Sequence, residues 1–386
     1  MTVSDYRPGS APRRRRPWQL TILTLTVLFA GFVFLETPPI AALFDIVTNG
    51  LAIVAASLLS LIGFDMVRNG VELRDTLSGH AIAVTSACDG SGLVVSLFAM
   101  TAWLGGRTDA FPKPVMAILA AVVVIFIFNL VRVIVLFLSI GTPTLMLAQH
   151  LYVAPLLSSV LVAVLASNAR GLRLADILPS LKIWLAIACL GALAWYAVSD
   201  DVSCTLATPI SNTMLGLMPF GVSQSIACSE AGALLTTTGV LALEPPALVT
   251  TGFYPSDFTL AAPLVFASLI VASRGAALPV SKLFGRMVLS VLLFCVAITV
   301  AALTIGYDTV TAAQTTSTLF NGIVETYHAP SPFLLGTLKA TQNMVVHFNL
   351  FILPFAVAGR YEPAASSAPL TRGPPDGRPS RRRRRR

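Results

Sequence analysis

Hydrophobic residues in this chain come in long blocks separated by short polar connections. Blocks of this kind predict apolar helices, and about 20 residues suffice to cross a hydrocarbon core roughly 30 Å thick. Eight spans are predicted on this basis, at 18–35, 90–104, 114–139, 151–168, 182–199, 259–273, 287–305 and 345–359. Ile40–Phe64 is apolar as well but patterned differently. Asp45, Thr48, Asn49, Ala52, Ala56 and Ser60 recur at three- and four-residue steps, giving one polar or small stripe. That periodicity predicts a helix lying at the outer interface, or re-entering from it, rather than a ninth crossing. After it, Met66–Val67 and Ala81–Val84 are expected to pair as a small hairpin around Asn69-Gly70 or Ser78-Gly79. The fold class is therefore an all-α polytopic membrane protein, with a small outer hairpin and two outer polar segments at 200–258 and 306–344.

Lysine and arginine orient these spans. With a cytoplasmic N-terminus, the inner connections carry Arg107, Lys113, Arg170, Arg173, Lys182, Arg274, Lys282, Arg286 and Arg360, whereas the outer ones carry Arg68, Arg74 and Lys339. This is the asymmetry of the positive-inside rule. It predicts a multi-pass protein of the inner (plasma) membrane with both termini cytoplasmic.

Composition agrees. Of 386 residues, 55% are hydrophobic and 11% charged, against about 25% charged in soluble domains. The net charge of +8 is concentrated in runs such as Arg13–Arg16 and Arg381–Arg386. Beside membrane spans these runs fix topology and touch anionic lipid, so membrane lipid and not nucleic acid is the expected partner. Residues 1–17 and 362–386, rich in Pro, Arg, Ser and Gly, read as disordered tails. Trp18–Leu35 lacks an Ala-x-Ala-like cleavage site and reads as a retained anchor.

Chemistry concentrates at one depth. Cys88 follows a short β-like run and precedes Asp89-Gly90-Ser91-Gly92 and an apolar helix. Free N–H groups and the positive end of a helix dipole favour a thiolate there; the bland alternative is a small residue packed at a helix start. Asn129 and Arg132 share a helix face within an otherwise apolar run. Arg132 lies about 27 Å along its span at 1.5 Å per residue, close to the outer boundary. An arginine there either snorkels to the headgroups or faces a partner or wet cavity. His150 opens the following span at the same boundary, where a lone histidine could be merely interfacial. Thiol, guanidinium and imidazole thus converge on one layer.

The run Val84-Thr-Ser-Ala-Cys88-Asp-Gly-Ser-Gly-Leu, then Asn129-Leu-Val-Arg132, then His150, resembles the exosortase/archaeosortase family, as does the preceding Leu61-Ile-Gly-Phe-Asp-Met-Val-Arg-Asn-Gly. These are multispanning membrane cysteine transpeptidases that process C-terminal sorting signals of exported proteins. The resemblance covers roughly 18–170, an exosortase-like catalytic membrane core; 171–361 is a C-terminal membrane region without a recognised motif. It implies that Cys88 is the nucleophile and that Arg132 favours the thiolate or stabilises the oxyanion. His150 is then general acid and base, and Asn129 orients Arg132. It implies an active site facing the periplasm or exterior, exported proteins with a C-terminal transmembrane sorting signal as partners, and no cofactor. Asp89 departs from the small neutral residue usual after the cysteine. Its carboxylate opposes thiolate formation unless Arg132 pairs with it.

Other residues carry less. His80 could replace His150 as base. His328 and His347 lack partners at metal-ligand spacing and read as interfacial. Cys204 and Cys228 could form a disulfide in an oxidising compartment, and Cys189 and Cys295 read as apolar packing. The rival functions are a non-enzymatic scaffold or assembly factor for export, which would tolerate loss of Cys88, and a transporter. A transporter would show polar residues at mid-bilayer in several spans.

Overall fold

The computed structural model describes residues 17–85, 88–105, 115–172, 174–202, 204–205, 208–217, 226–228, 234–241, 247–253, 260–273 and 332–357, with short pieces between 284 and 300. Residues 1–16 and 362–386, His328, much of the expected 287–305 span and the first part of 306–344 lie outside the described residues.

Helix α1 (Pro17–Leu35) ends at Glu36–Thr37, and α2 (Pro38–Leu61) begins with two prolines in its first turn. Proline has no N–H to leave unpaired and its fixed φ suits a helix start, so the chain breaks and restarts there. Gly63, at φ +105°, closes α2 and releases the chain into a three-stranded antiparallel sheet: β1 (Met66–Asn69), β2 (Glu72–Asp75) and β3 (Ala81–Ala83). Here a single hairpin was expected. Both turn candidates are used, Asn69-Gly70 between β1 and β2 and Ser78-Gly79 between β2 and β3, with Gly70 and Gly79 at positive φ. Met66–Val67 and Ala81–Ala83 therefore both pair with the middle strand instead of with each other.

Asp75 locks the second turn. Its carboxylate accepts from the Ser78 N–H (2.9 Å) and the Asp65 N–H (3.0 Å). The bond with Ser78 holds the carboxyl below its usual range, against the opposing effect of burial. A depressed folded-state pKa adds stability above the unfolded value, about 3.9, which is lost as pH falls through the folded value. Protection of the Ser78 and Asp65 amides, measured against their intrinsic exchange rates, is therefore expected to be high at neutral pH and to fall in acid below that range. An Asp75→Asn chain should exchange fast at neutral pH already; equally slow exchange in both would refute this role.

Helices α3 (Ser91–Gly105) and α4 (Val115–Ser139) follow, then α5 (Pro143–Ala148), a π-turn at Gln149–Val153 and α6 (Ala154–Ala169). Beyond lie α7 (Leu174–Val202), α8 (Thr208–Gly216) and a second antiparallel sheet of β4 (Ile226–Cys228), β5 (Leu234–Leu241) and β6 (Ala247–Phe253). The chain closes with α9 (Ala261–Ser273), α10 (Pro332–His347), a π-turn at Phe348–Ile352 and α11 (Leu353–Val357). A Cys204–Cys228 disulfide ties the end of α7 to β4. The second sheet falls in the segment read only as polar: its Thr- and Gly-rich strands lack the alternation that marks a half-buried strand.

Among the described residues, four helical stretches are long and apolar enough to cross a membrane: Pro38–Leu61, Ile118–Ser139, Pro143–Ala169 and Ile177–Ser199. Gln19–Leu35, Ser91–Gly105 and Ala261–Val271 are shorter apolar helices. By length and composition α2 thus qualifies as a span, although its stripe suggested an interfacial helix. Thr48 and Ala52 of that stripe are buried, whereas Asp45 and Ser60 are exposed. The final helix begins at Pro332, well before the expected 345.

The main core joins α1, α3, α4, α6, α7, α9 and α10–α11 through Leu28, Leu97, Ile125, Val162, Leu264 and Ile352, among others. Outward-facing Val123, Ile127, Val131 and Leu138 on α4 are the exposed apolar surface expected of a helix in lipid. Cys295 is buried as expected, but Cys189 is exposed, on the outside of the bundle.

Candidate active site

A second, smaller cluster surrounds Cys88. Its buried members are Leu51, Ala52 and Ala55 of α2, Leu73 of β2, Val84 just after β3, and Val133 of α4. The small residues on α2 have a function here: Ala52 and Ala55 allow the helix to approach the cysteine closely. The Cys88 N–H donates to the Thr85 carbonyl at 2.7 Å. That tight turn connects the end of β3 to the start of α3.

Asp89 and Gly90 continue the turn. Gly90 sits at φ +88°, and a Cβ on it would lie 2.6 Å from Asn129 Nδ2. Only glycine meets both conditions, so the turn rests directly on α4. Asn129 is fully buried; its Nδ2 donates to the Ile125 carbonyl (3.0 Å), while its Oδ1 has no hydrogen-bond partner. Asp89 is buried too. It accepts from the Ser91 N–H (2.7 Å) and, more weakly, from the Thr48 hydroxyl (3.4 Å). It serves the N-terminus of α3 and a residue of α2, not Arg132, because the turn directs its side chain toward the free N–H groups of the helix. Burial pushes its carboxyl up, against the lowering effect of Ser91 and Thr48. The positive end of α3, expected to favour a Cys88 thiolate, is thus already engaged by a carboxylate.

Arg132 lies one turn beyond Asn129, and its Nη2 donates to His150 Nδ1 at 3.3 Å. Because arginine only donates, that nitrogen is the acceptor and the proton of a neutral ring sits on Nε2. His150 does not open its helix, as the apolar pattern suggested. It lies seven residues into a helical stretch that begins at Pro143, on the π-turn at Gln149–Val153. Pro155 explains the widened turn: it has no N–H to offer Leu151, and its ring crowds that carbonyl. Gln149 on the same turn is tied to α4 by the Ser139 hydroxyl (3.1 Å). Arg132 and His150 are therefore brought together; Cys88 joins them through the buried cluster it shares with Val133 of α4, against which Leu130 also packs. His80 is exposed on the β2–β3 turn, beside Gly141.

Residues 14–151 match a family model described as Transmembrane exosortase (Exosortase_EpsH). Over this stretch the chain is similar to the transmembrane exosortases. No curated protein and no solved structure matches the chain. The matched stretch ends just after His150, so it contains α1 to α5, the first sheet, and Cys88, Asp89, Asn129, Arg132 and His150.

One contributor lies far outside it. His347, expected to be interfacial, packs at the start of α3. Its Nδ1 is 2.8 Å from the Ser96 hydroxyl, and its ring lies between Phe32 (centroids 4.8 Å apart) and Phe351 (5.1 Å). A Cβ on Gly92 would fall 2.5 Å from His347 Cε1. At its other end α3 is held by Arg170, whose Nε donates to the Thr101 carbonyl (2.8 Å). A second π-turn, before Pro354, follows His347, and the Leu350 carbonyl left without an N–H by that proline accepts from Ser159 (2.9 Å). The sequence signal was a repeat of the pattern around His150, a histidine a few residues before a helix-interrupting proline.

Gly92→Ala is expected to destabilise the detergent-solubilised protein by about 1–3 kcal/mol, the usual effect of overpacking. His347→Ala in the same chain should recover much of that loss, because the clashing ring is gone. Losses that simply add in a denaturation cycle would refute the contact.

Proposed function

We propose that the chain is a membrane cysteine transpeptidase that cleaves C-terminal sorting signals of exported proteins at the outer face of the inner membrane. The observation that carries this reading is the Arg132–His150 hydrogen bond, on the α4 face whose Val133 packs against Cys88, inside the stretch similar to the transmembrane exosortases. The Cys204–Cys228 disulfide supports placing 200–258 on the oxidising side.

In this reading His150 accepts the Cys88 thiol proton at Nδ1, the nitrogen bonded to Arg132 at rest. The guanidinium must turn away first. Asn129 Oδ1, buried and unpartnered one turn back on the same helix face, offers it an acceptor. The thiolate attacks the scissile carbonyl and a C–S bond forms. Arg132 neutralises the developing oxyanion. The C–N bond then breaks, and the leaving amine takes the proton from the imidazolium. Water or an amine gives its proton to His150 and attacks the thioester; the C–S bond breaks and the thiol is restored.

The test is made in cells. Deleting the chain should leave exported proteins that end in an apolar span and an arginine tail at precursor mass, and its return should give one new C-terminus by mass spectrometry. Identical C-termini with and without the chain would contradict the proposal.

A further inference from the structure

The strand that leads to Cys88 has an open edge. In the sheet order β1-β2-β3, β3 pairs with β2 alone among the described residues. Leu73 faces Ile82, Glu72 faces Ala83 and Arg74 faces Ala81. The Asp75 N–H donates to the His80 carbonyl (2.9 Å) and the Val84 N–H to the Val71 carbonyl (3.0 Å). Hydrogen-bonded pairs alternate along an antiparallel ladder, so Ile82 is bonded to Leu73, while the N–H and C=O of Ala81 and Ala83 point away from β2. Ala83 and Thr85 are exposed. The Thr85 carbonyl, next in this outward series, accepts the Cys88 N–H. The open edge therefore runs straight into the turn that holds the candidate nucleophile.

Natural sheets protect open edges with charge, proline or a cover. The opposite edge carries the exposed Arg68 on β1. The β3 edge has only Ala81, Ile82 and Ala83, with no charge and no proline, and the side chains at its outward positions are methyl groups. Unpaired N–H and C=O groups at strand spacing are satisfied by an extended polypeptide. We propose that β3 is the substrate-binding strand: the extended segment of the precursor that precedes its apolar helix adds to the sheet as a fourth strand along Ala81 and Ala83, which presents its carbonyls in register to Cys88. This rests on the transpeptidase reading, from which it takes the identity of the occupant.

Proline at position 83 tests it cleanly. The substitution removes an N–H that β2 does not use and suits an edge strand, so the β2–β3 ladder survives. The Ala83→Pro chain should process a precursor that the native chain cleaves at least tenfold less efficiently, mainly through a raised KM. Labelling of Cys88 by a small thiol reagent, read by mass spectrometry, should keep its native rate. Arg68→Pro, at an outward position on the opposite edge, should process normally. In a Cys88→Ser chain carrying Ala83→Cys, single cysteines walked along the precursor should cross-link at alternate residues. If Ala83→Pro processes at the native rate, or cross-links lack the two-residue period, strand addition is wrong while the transpeptidase reading stands. A change only in self-association of Ala83→Pro would likewise overturn it, pointing to a second copy on the edge. If the native chain cleaves no precursor, the transpeptidase reading fails and this inference with it.

Discussion

A Cys88→Ser chain should reach the membrane at native levels and process its precursor at least about a thousandfold more slowly. Serine is close in size to cysteine, so the cluster of Leu51, Ala52, Ala55, Leu73, Val84 and Val133 around the side chain keeps its packing. What changes is chemistry, since an alcohol is far harder to ionise than a thiol. Immunoblotting precursor and product against a loading-matched enzyme band measures the effect. Comparable processing by the serine chain would remove Cys88 from the chemistry.

The second large effect separates activity from stability. Arg132→Ala and His150→Ala should each slow processing about 100-fold or more, within the range for a lost general acid–base or oxyanion partner. The double variant should be scarcely worse than either alone, because the two side chains act as one hydrogen-bonded unit. Stability should move differently. Arg132 is a guanidinium within an apolar helix, and its removal relieves a desolvation penalty of a few kcal/mol on insertion scales. Arg132→Ala is therefore expected to unfold at the same or a higher temperature in detergent while losing activity. Arg132→Lys should not restore function, since an ammonium lacks the planar fork that donates to His150 at rest and to the oxyanion once it forms. A stabilised, inactive Arg132→Ala chain supports a functional arginine, and a destabilised one would make it structural.

Apolar blocks and basic residues made the membrane helices legible, because both respond to the bilayer over many residues at once. The candidate residues Cys88, Arg132 and His150 stood out because each is chemically unusual in such a run. What was missed depended on packing or on single atoms. Asp89 invited pairing with Arg132, the cation expected at its depth, yet its place in the turn sends it to Ser91 and Thr48. His150 was placed at a span boundary because the polar Gln149 interrupts the apolar run, whereas the helix continues through Pro155 by widening into a π-turn. Residues of the first sheet too short to show alternation left its middle strand unseen. His347 could not be linked to Gly92 across about 250 residues without the fold, although the need for a glycine there is plain once the ring is in place.

The most direct measurement is to trap the acyl enzyme. Membranes containing the native chain and a precursor would be treated with hydroxylamine during processing, and the products analysed by mass spectrometry. A precursor fragment ending in a hydroxamate is expected, and, without hydroxylamine, the same fragment attached to the peptide that contains Cys88. A cleaved product that never carries a hydroxamate, with no adduct on Cys88, would contradict covalent catalysis at this residue.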